Sequence, residues 1–295
     1  MIEKAIVLGP DRSLVGVWTE PRHPVPGDGP PAVIIINSGI VHHVGIWRLH
    51  VRTARALAKR GVSCLRFDLS GIGDSENPRD AIALDELARR DVDAAIHYVR
   101  ETRGVGRVVM MGLCSGAWDG LGAAIRNPNV AGVAAIDMIA DLRTWKYFAV
   151  HFGKRSLRWE SWKNTFSGKN GWIPGLVHRV LRRGAPARDT EEEYGVGLGA
   201  RPVMPKAHFG ELLSGLLGRG VEMLFVYSNG IEEAYNHRSQ FAEALPEIAA
   251  HPSLATDFFP LADHTFCQPD QQQALIARVV GWMEERFGLP SAGSG

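Results

Sequence analysis

The residues best suited to chemistry lie in the run Gly-Leu-Cys-Ser-Gly at positions 112–116. An apolar strand pattern at 108–111 leads into this run, and a helical pattern follows it. A side chain held at the tip of a tight strand-to-helix turn needs small residues two positions away on either side, and Gly112 and Gly116 meet that need. We therefore predict a nucleophile elbow that presents Cys114 to a substrate, with cysteine where serine is usual.

A histidine and several carboxylates follow the elbow in an order that suits acyl transfer. His264 comes after the last predicted strand and could take and return a proton. Glu232 is the first candidate for the acid that orients the imidazole, because it follows a predicted strand. Glu233 and Asp137 remain alternative acids. A dyad of Cys114 and His264 without an acid also stays open.

Two other interpretations of the elbow compete with this one. Ser115 could be the nucleophile, but Leu113 would then stand two residues before it, and leucine is too bulky for that position. Cys114 could instead be a packed residue of an ordinary turn, as we expect for Cys64 and Cys267, since free cysteine is often buried. The flanking glycines and the later histidine favour Cys114 as nucleophile, and the helix N-terminus should favour its thiolate.

The elements that position these residues alternate between strand and helix. Two short segments flank a Gly-Pro-Asp-Arg turn at 9–12 and predict an antiparallel hairpin at the sheet edge. Further strands are predicted at 32–37, 64–67, 108–111, 130–136, 221–227 and 256–260, with helices at 49–60, 84–103, 235–245 and 269–287. This alternation predicts an α/β fold with a mostly parallel sheet flanked by helices.

The alternation is interrupted between residues 141 and 219, where tryptophans and basic residues are frequent. We interpret 141–219 as a helical cap inserted into a core domain made of residues 1–140 and 220–290. Residues 291–295, Ser-Ala-Gly-Ser-Gly, are interpreted as a flexible tail.

Composition and charge argue against several classes of function. The 33 basic residues nearly balance the 32 acidic ones, so neither nucleic acid nor a membrane is expected as a partner. No apolar run has the length of a signal peptide or a membrane span, and three cysteines form no disulfide framework, which predicts a cytoplasmic protein. We expect no metal at His42 and His43, because adjacent histidines cannot easily face one ion, and no dinucleotide cofactor at Gly71 and Gly73, because a third glycine is missing.

The order of these motifs resembles that of the α/β-hydrolase superfamily, over nearly the whole chain outside the cap. The run Asn-Ser-Gly-Ile at 37–40 is similar to the family's oxyanion loop, and residues 68–75 are similar to its Asp-x-x-Gly-x-Gly-x-Ser turn. The resemblance implies that the backbone N–H groups of Ile40 and Ser115 stabilise the oxyanion. The motifs at 39–50, 65–68, 112–116 and 263–266 look more narrowly like an exosortase-system-associated, or biosynthetic-cluster, branch with a cysteine nucleophile.

The resemblance implies an esterase or thioesterase that forms an acyl-cysteine intermediate. An acyltransferase that passes the acyl group to an amine or alcohol is one alternative, and a non-catalytic pseudo-hydrolase that only binds ligands is another. The expected partner is a small acyl ester or thioester, such as one carried by coenzyme A or an acyl carrier protein. His42, His43 and Arg48 are expected to line the oxyanion loop or to contact this substrate. The oligomeric state is left open.

Overall fold

The strands of this protein form one mixed sheet. A computed structural model describes residues 1–9, 11–22, 29–78, 81–156 and 203–289. Within these residues the sheet has the order β1-β2-β4-β3-β5-β6-β7-β8. The first two strands and the β2–β4 pair are antiparallel, and all other neighbours are parallel. The strands are β1 (Ile2–Leu8), β2 (Leu14–Glu20), β3 (Ala32–Ile36), β4 (Cys64–Phe67), β5 (Val108–Leu113), β6 (Val130–Ile136), β7 (Glu222–Ser228) and β8 (Leu254–Phe259).

Helices cover both faces of this sheet. Successive side chains of a strand point to opposite faces, so in β3 Ile34 and Ile36 pack with α2, α3 and α5, whereas Val33 and Ile35 pack with α1 and α8. The predicted α/β fold is therefore confirmed. The α-helices in the described part of the chain are α1 (Leu49–Ala58), α2 (Leu84–His97), α3 (Ser115–Arg126), α4 (Trp145–Ser156), α5 (Lys206–Gly218), α6 (Gln240–Ala244), α7 (Pro246–Ala249) and α8 (Pro269–Phe287).

Most predicted elements match the structure within a few residues, and two helices differ. The helix predicted at 84–103 is α-helical only to His97 and continues as a π-helix to Thr102. The helix predicted at 235–245 is reduced to α6. Its first residues cannot join because the Gln240 side chain donates to the carbonyl of Ala234 and accepts the backbone N–H of Asn236, which replaces helical hydrogen bonds there.

The predicted cap is described only at its two ends. Helix α4 opens it, and Lys146 of α4 pairs with Glu243 of α6 at 2.9 Å. Helix α5 closes it and packs on the sheet through Phe209 and Leu213. Residues 157–202, with Trp159, Trp162 and Trp172, and the tail at 291–295 lie outside the described residues. Division into a core domain and a cap stays a prediction. In the part of the chain that is described, no helix is both long and apolar enough to cross a bilayer.

Candidate active site

The turn between β5 and α3 has the backbone of a nucleophile elbow. Cys114 has a φ of 56° and a ψ of −116°, a strained conformation of the kind found at functional sites. A Cβ atom at Gly112 would overlap the backbone of Gly116, and one at Gly116 would lie 2.6 Å from the carbonyl oxygen of Asn37. Backbone packing therefore requires both glycines. The thiol of Cys114 lies partly buried at the N-terminus of α3.

His264 lies between a carboxylate and this thiol. Its Nδ1–H donates to Oδ2 of Asp137 at 2.9 Å, which leaves Nε2 for the side chain of Cys114, its second hydrogen-bonding partner. These contacts, first to Asp137 and then to Cys114, raise the pKa of His264 to about 10 against the opposing effect of burial. The thiol of Cys114 therefore lies beside a group that can accept a proton and return it.

The carboxylate on His264 belongs to Asp137, which sequence analysis gave as an alternative acid. Glu232, the first choice, follows the turn after β7. The place on Nδ1 of His264 that was predicted for Glu232 is occupied by Asp137. Glu233 contributes its backbone carbonyl, which accepts the hydroxyl of Tyr147. The first choice of acid is therefore corrected by the structure.

Packing around the end of β7 explains this correction. Ser228 donates its backbone N–H and its hydroxyl to the two carboxylate oxygens of Asp137, both at 2.6 Å, and fixes the buried side chain. A Cβ atom at Gly230 would overlap the backbone of His264. Because residue 230 has no side chain, the segment after β7 can lie directly against the backbone of the histidine loop. The carboxylate comes from the end of the neighbouring strand β6.

The loop after β3, residues 37–40, lies against the elbow. The backbone N–H of Gly39 donates to Oγ of Ser115 at 2.7 Å. This contact directs the Ser115 hydroxyl toward the loop, which argues against Ser115 as the nucleophile. Ile40 and Ser115 belong to these two touching segments, so the packing is compatible with their predicted role as backbone donors to an oxyanion.

Asp68 joins this loop to the loop after β4. Its buried carboxylate accepts Nδ2–H of Asn37 at 3.0 Å, the backbone N–H of Asp74 at 3.1 Å, and the backbone and ring N–H groups of His43 at 2.5 and 2.6 Å. Burial acts to raise the pKa of Asp68, but the hydrogen bonds from His43 and Asp74 outweigh it and lower the pKa. The ionised carboxylate therefore holds the two loops together.

The three residues expected to bind substrate occupy different environments. His43 is buried with its ring on Asp68, so it is not open to a ligand, which corrects that expectation. His42 is partly exposed; its Nδ1 accepts a backbone N–H at 3.2 Å and its Nε2 faces Asp74 at 3.2 Å. Arg48 is exposed at the start of α1. Substrate binding by His42 and Arg48 stays a prediction.

The same loops gather four side chains that could in principle bind a metal. Potential ligand atoms of His42, His43, Asp68 and Asp74 lie within 4.8 Å of one another. Contrary to the expectation for adjacent histidines, the rings of His42 and His43 both approach Oδ2 of Asp68, at 3.5 and 2.6 Å. Both oxygens of Asp68 accept N–H groups, and these hydrogen bonds account for the arrangement. We call Asp68 and the groups that donate to it the Asp68 clamp.

The other two cysteines are held in the thiol form. Burial raises the pKa of the Cys64 thiol inside β4. Cys267 is exposed, and its thiol donates to Oδ2 of Asp263 at 2.6 Å, which raises its pKa. Of the three thiols, that of Cys114 alone has an imidazole partner among the described residues.

Sequence reasoning missed three residues that position His264. Asp263 accepts the backbone N–H and the hydroxyl of Thr265, both at 2.7 Å, and so shapes the histidine loop. Ser228 holds the acid and Gly230 admits the histidine backbone. An aspartate two residues before a threonine is a turn signal that could have identified the first. The roles of Ser228 and Gly230 depend on contacts between distant segments.

Solved structures with similar folds cover nearly the whole chain. The mouse alpha/beta hydrolase domain-containing protein 10 is 17% identical with a TM-score of 0.54, over 96% of this chain and 99% of its own. Proline iminopeptidase from Mycobacterium smegmatis is 15% identical with a TM-score of 0.57, over 97% and 98% of the two chains. Dienelactone hydrolase from Anabaena variabilis is 13% identical with a TM-score of 0.56, also over 97% and 98%. At these identities the likeness concerns the fold.

A search of curated proteins gave no match. The family comparison, in contrast, matches residues 33–279 to the alpha/beta hydrolase family. That range includes the elbow, Asp137 and the loop of His264, and it extends from β3 into α8. The chain therefore belongs to the alpha/beta hydrolase family.

Proposed function

We infer that the protein is an acyl hydrolase that works through an acyl-Cys114 intermediate. One observation carries this proposal: His264 is held by Asp137 on one side and meets the thiol of Cys114 on the other. A nucleophile, a proton carrier and a carboxylate that orients it are the parts required for covalent acyl transfer. A non-catalytic binding module does not need a carboxylate on the histidine, so the contact of Asp137 with His264 favours an enzyme over that alternative.

Acylation begins with the imidazolium–thiolate pair. The thiolate sulfur of Cys114 attacks the carbonyl carbon of an ester or thioester, and the electron pair of the C=O bond moves onto the oxygen. Backbone N–H groups of Ile40 and Ser115 donate to this oxyanion. When the tetrahedral intermediate collapses, the bond to the leaving group breaks, and Nε2–H of His264 protonates the departing alkoxide or thiolate.

Deacylation reverses the role of the histidine. Neutral His264 removes a proton from a water molecule, whose oxygen attacks the thioester carbonyl. The second tetrahedral intermediate expels the thiolate of Cys114 and releases a carboxylic acid. Asp137 keeps Nδ1 protonated in both steps, so Nε2 is the atom that exchanges protons.

The cysteine bears on the class of substrate. A thioester intermediate accepts amines and thiols as well as water, so transfer of the acyl group to an amine or alcohol is the competing outcome at the same site. The proline iminopeptidase and the dienelactone hydrolase among the structural neighbours carry names of hydrolytic enzymes, which supports hydrolysis as the first assay. Thioesters on coenzyme A or an acyl carrier protein are the substrates to try first. Membership of the exosortase-associated branch and a cytoplasmic location stay predictions from the sequence.

The test is to trap the intermediate. The protein is incubated with the hexanoyl thioester of N-acetylcysteamine, and intact mass is followed for wild type, Cys114→Ala, His264→Gln and Ser115→Ala. We expect one hexanoyl group on Cys114 in wild type and Ser115→Ala, none in Cys114→Ala, and slowed turnover in His264→Gln. Turnover of Cys114→Ala at the wild-type rate would overturn the proposal. Added hydroxylamine or amines then distinguish transfer from hydrolysis by the product formed.

A further inference from the structure

A cavity of about 1020 Å³ opens beside the elbow. Gly39, Ile40 and Ser115, which belong to the oxyanion loop and the elbow, line one side of it. Its other walls are mainly apolar and come from the loop after β4, from α2, from α3 and from the residues before α5: Leu69, Ile72, Leu87, Ala88, Trp118 and Met204. A cavity of this size and lining, next to a nucleophile, suits an acyl chain.

Three carboxylates line this cavity, and only Asp91 is buried, since Asp85 is exposed and Asp119 is partly exposed. Asp91 lines the cavity, and only 6% of the residue is exposed. Along α2 it lies seven residues, roughly 10 Å, from Leu84, which also lines the cavity and is 63% exposed. Leu84 therefore marks the mouth of the cavity, and Asp91 marks its buried floor.

The carboxylate of Asp91 has room for another donor. Ser70 donates its backbone N–H to one oxygen at 2.7 Å and its hydroxyl to the other at 3.0 Å. A carboxylate can accept about four hydrogen bonds, and in the described part of the chain no lysine, arginine or histidine forms an ion pair with Asp91 within 4 Å, although the charge of Arg90 still acts on it. Burial raises the pKa of Asp91, and it prevails over the bonds from Ser70 and the charge of Arg90, which lower it. A donor on a ligand would compensate this desolvation.

Access to Asp91 is not limited to one side. A second cavity, of about 750 Å³, adjoins the first and shares five lining residues with it: Ser70, Asn77, Pro78, Leu87 and Asp91. Asp93, two residues further along α2, lines only the second of these cavities, and its carboxylate pairs with Arg126 at 3.4 Å and with Arg89 at 3.5 Å. Asp93 therefore provides a matched control on the same helix.

We propose that the first cavity holds the acyl group of the substrate and that Asp91 selects acyl chains that carry a hydrogen-bond donor, a hydroxyl or an amino group. This inference rests on the proposed acyl-Cys114 function for the position of the scissile carbonyl. Asp91 contacts the distant part of the chain and takes no part in bond making. The apolar walls bind the methylene groups between the carbonyl and the donor.

The experiment compares hexanoyl, ω-hydroxyhexanoyl and ω-aminohexanoyl thioesters of N-acetylcysteamine. For wild type we expect kcat/KM about tenfold higher for at least one donor-bearing chain than for hexanoyl, a ratio equivalent to one charge-assisted hydrogen bond. In Asp91→Leu that ratio should fall to one or below. Asp91→Asn, which can still accept the backbone N–H of Ser70, should lose the preference for the amino chain while remaining folded.

Asp93→Asn should keep the wild-type ratio. Equal kcat/KM for all three chains in wild type, or an equal change in Asp93→Asn, would overturn the inference. Calorimetry with the three corresponding N-alkyl amides and the Cys114→Ala variant measures the preference among the three chains as binding affinity, without acylation. A binding preference with no acylation would contradict the proposed function alone, and acylation with no preference would contradict the selection by Asp91 alone.

Discussion

Oδ2 of Asp137 lies 2.9 Å from Nδ1 of His264, although 127 residues separate them in the chain. Strand β6 ends directly before the aspartate, and the histidine follows β8, so two strands that do not touch each other supply the pair. Strand β7 lies between them and contributes Ser228, which donates two hydrogen bonds to the carboxylate. The pair is therefore assembled by the parallel order of three strands.

Replacing Asp137 with asparagine should reduce acyl turnover strongly. The side chain keeps its size, but its amide could face Nδ1 and favour the wrong tautomer of His264, so we expect kcat/KM to fall by about a hundredfold or more. Glu232→Gln is the matched control and should stay within about twofold of wild type. Steady-state hydrolysis of a hexanoyl thioester measures both. A larger loss in Glu232→Gln than in Asp137→Asn would restore Glu232 as the acid.

The raised pKa of His264 should make stability depend on pH. The pKa lies at about 10 in the folded protein and near 6.5 when unfolded, so the folded state binds the proton more tightly. This contribution is complete below about pH 6.5 and is lost as pH rises through about 10. The free energy of unfolding, from urea titrations at several pH values, should therefore fall more steeply in this window for wild type than for His264→Gln. Parallel pH curves for the two proteins would contradict the linkage.

Cys114 and Cys267 should differ in their rate of alkylation. At neutral pH, iodoacetamide should label Cys114 at least tenfold faster than Cys267, because Asp263 raises the pKa of the Cys267 thiol, whereas the Cys114 side chain is hydrogen-bonded to His264, which can take its proton. Peptide mass mapping over time gives each rate. His264→Gln should slow labelling of Cys114 only, and Asp263→Asn should speed labelling of Cys267. Equal rates at both sites in wild type would count against a thiolate at the elbow.

A methyl group at residue 230 should displace the histidine. A Cβ atom at Gly230 would overlap the backbone of His264, so Gly230→Ala should lower kcat/KM by about a hundredfold, since small misplacements of catalytic groups cost about that much. Gly215→Ala in α5 is the control, because a Cβ atom there meets no neighbouring atom within 4 Å. It should keep full activity and gain about 0.5–1 kcal/mol of stability. Thermal unfolding and hydrolysis assays on both variants test this contrast, and full activity in Gly230→Ala would refute it.

The elbow and the sheet could be predicted from the sequence because their signals are local. Gly112 and Gly116 are demanded by backbone contacts within one turn and with the adjacent loop, and apolar runs of strand length identify buried strands. The residue that acts as the acid could not be identified from local signals. Asp137 and Glu232 both follow strands, and only the contact of Asp137 with His264, between segments far apart in the chain, identifies the acid.

The role of His43 illustrates the same limit. In the sequence it stands in a glycine-flanked loop, which is where ligand contacts are common. Its ring is instead hydrogen-bonded to Asp68, a residue of the loop that follows β4. The loops after β3 and β4 meet because these two strands are neighbours in the sheet. The sequence pattern of one loop does not show which other loop it will contact.

The loop of Gly39 and Ile40 is tethered on two sides, by the Ser115 hydroxyl and, through Asn37 and His43, by the Asp68 carboxylate. A donor group that is already immobile loses little conformational entropy when a negative charge forms in front of it. Much of the ordering needed for the reaction is thus completed when the chain folds, before any substrate arrives. Stabilisation of the oxyanion therefore depends on the Asp68 carboxylate as well as on the donors themselves, because that carboxylate helps to hold the donor loop in place.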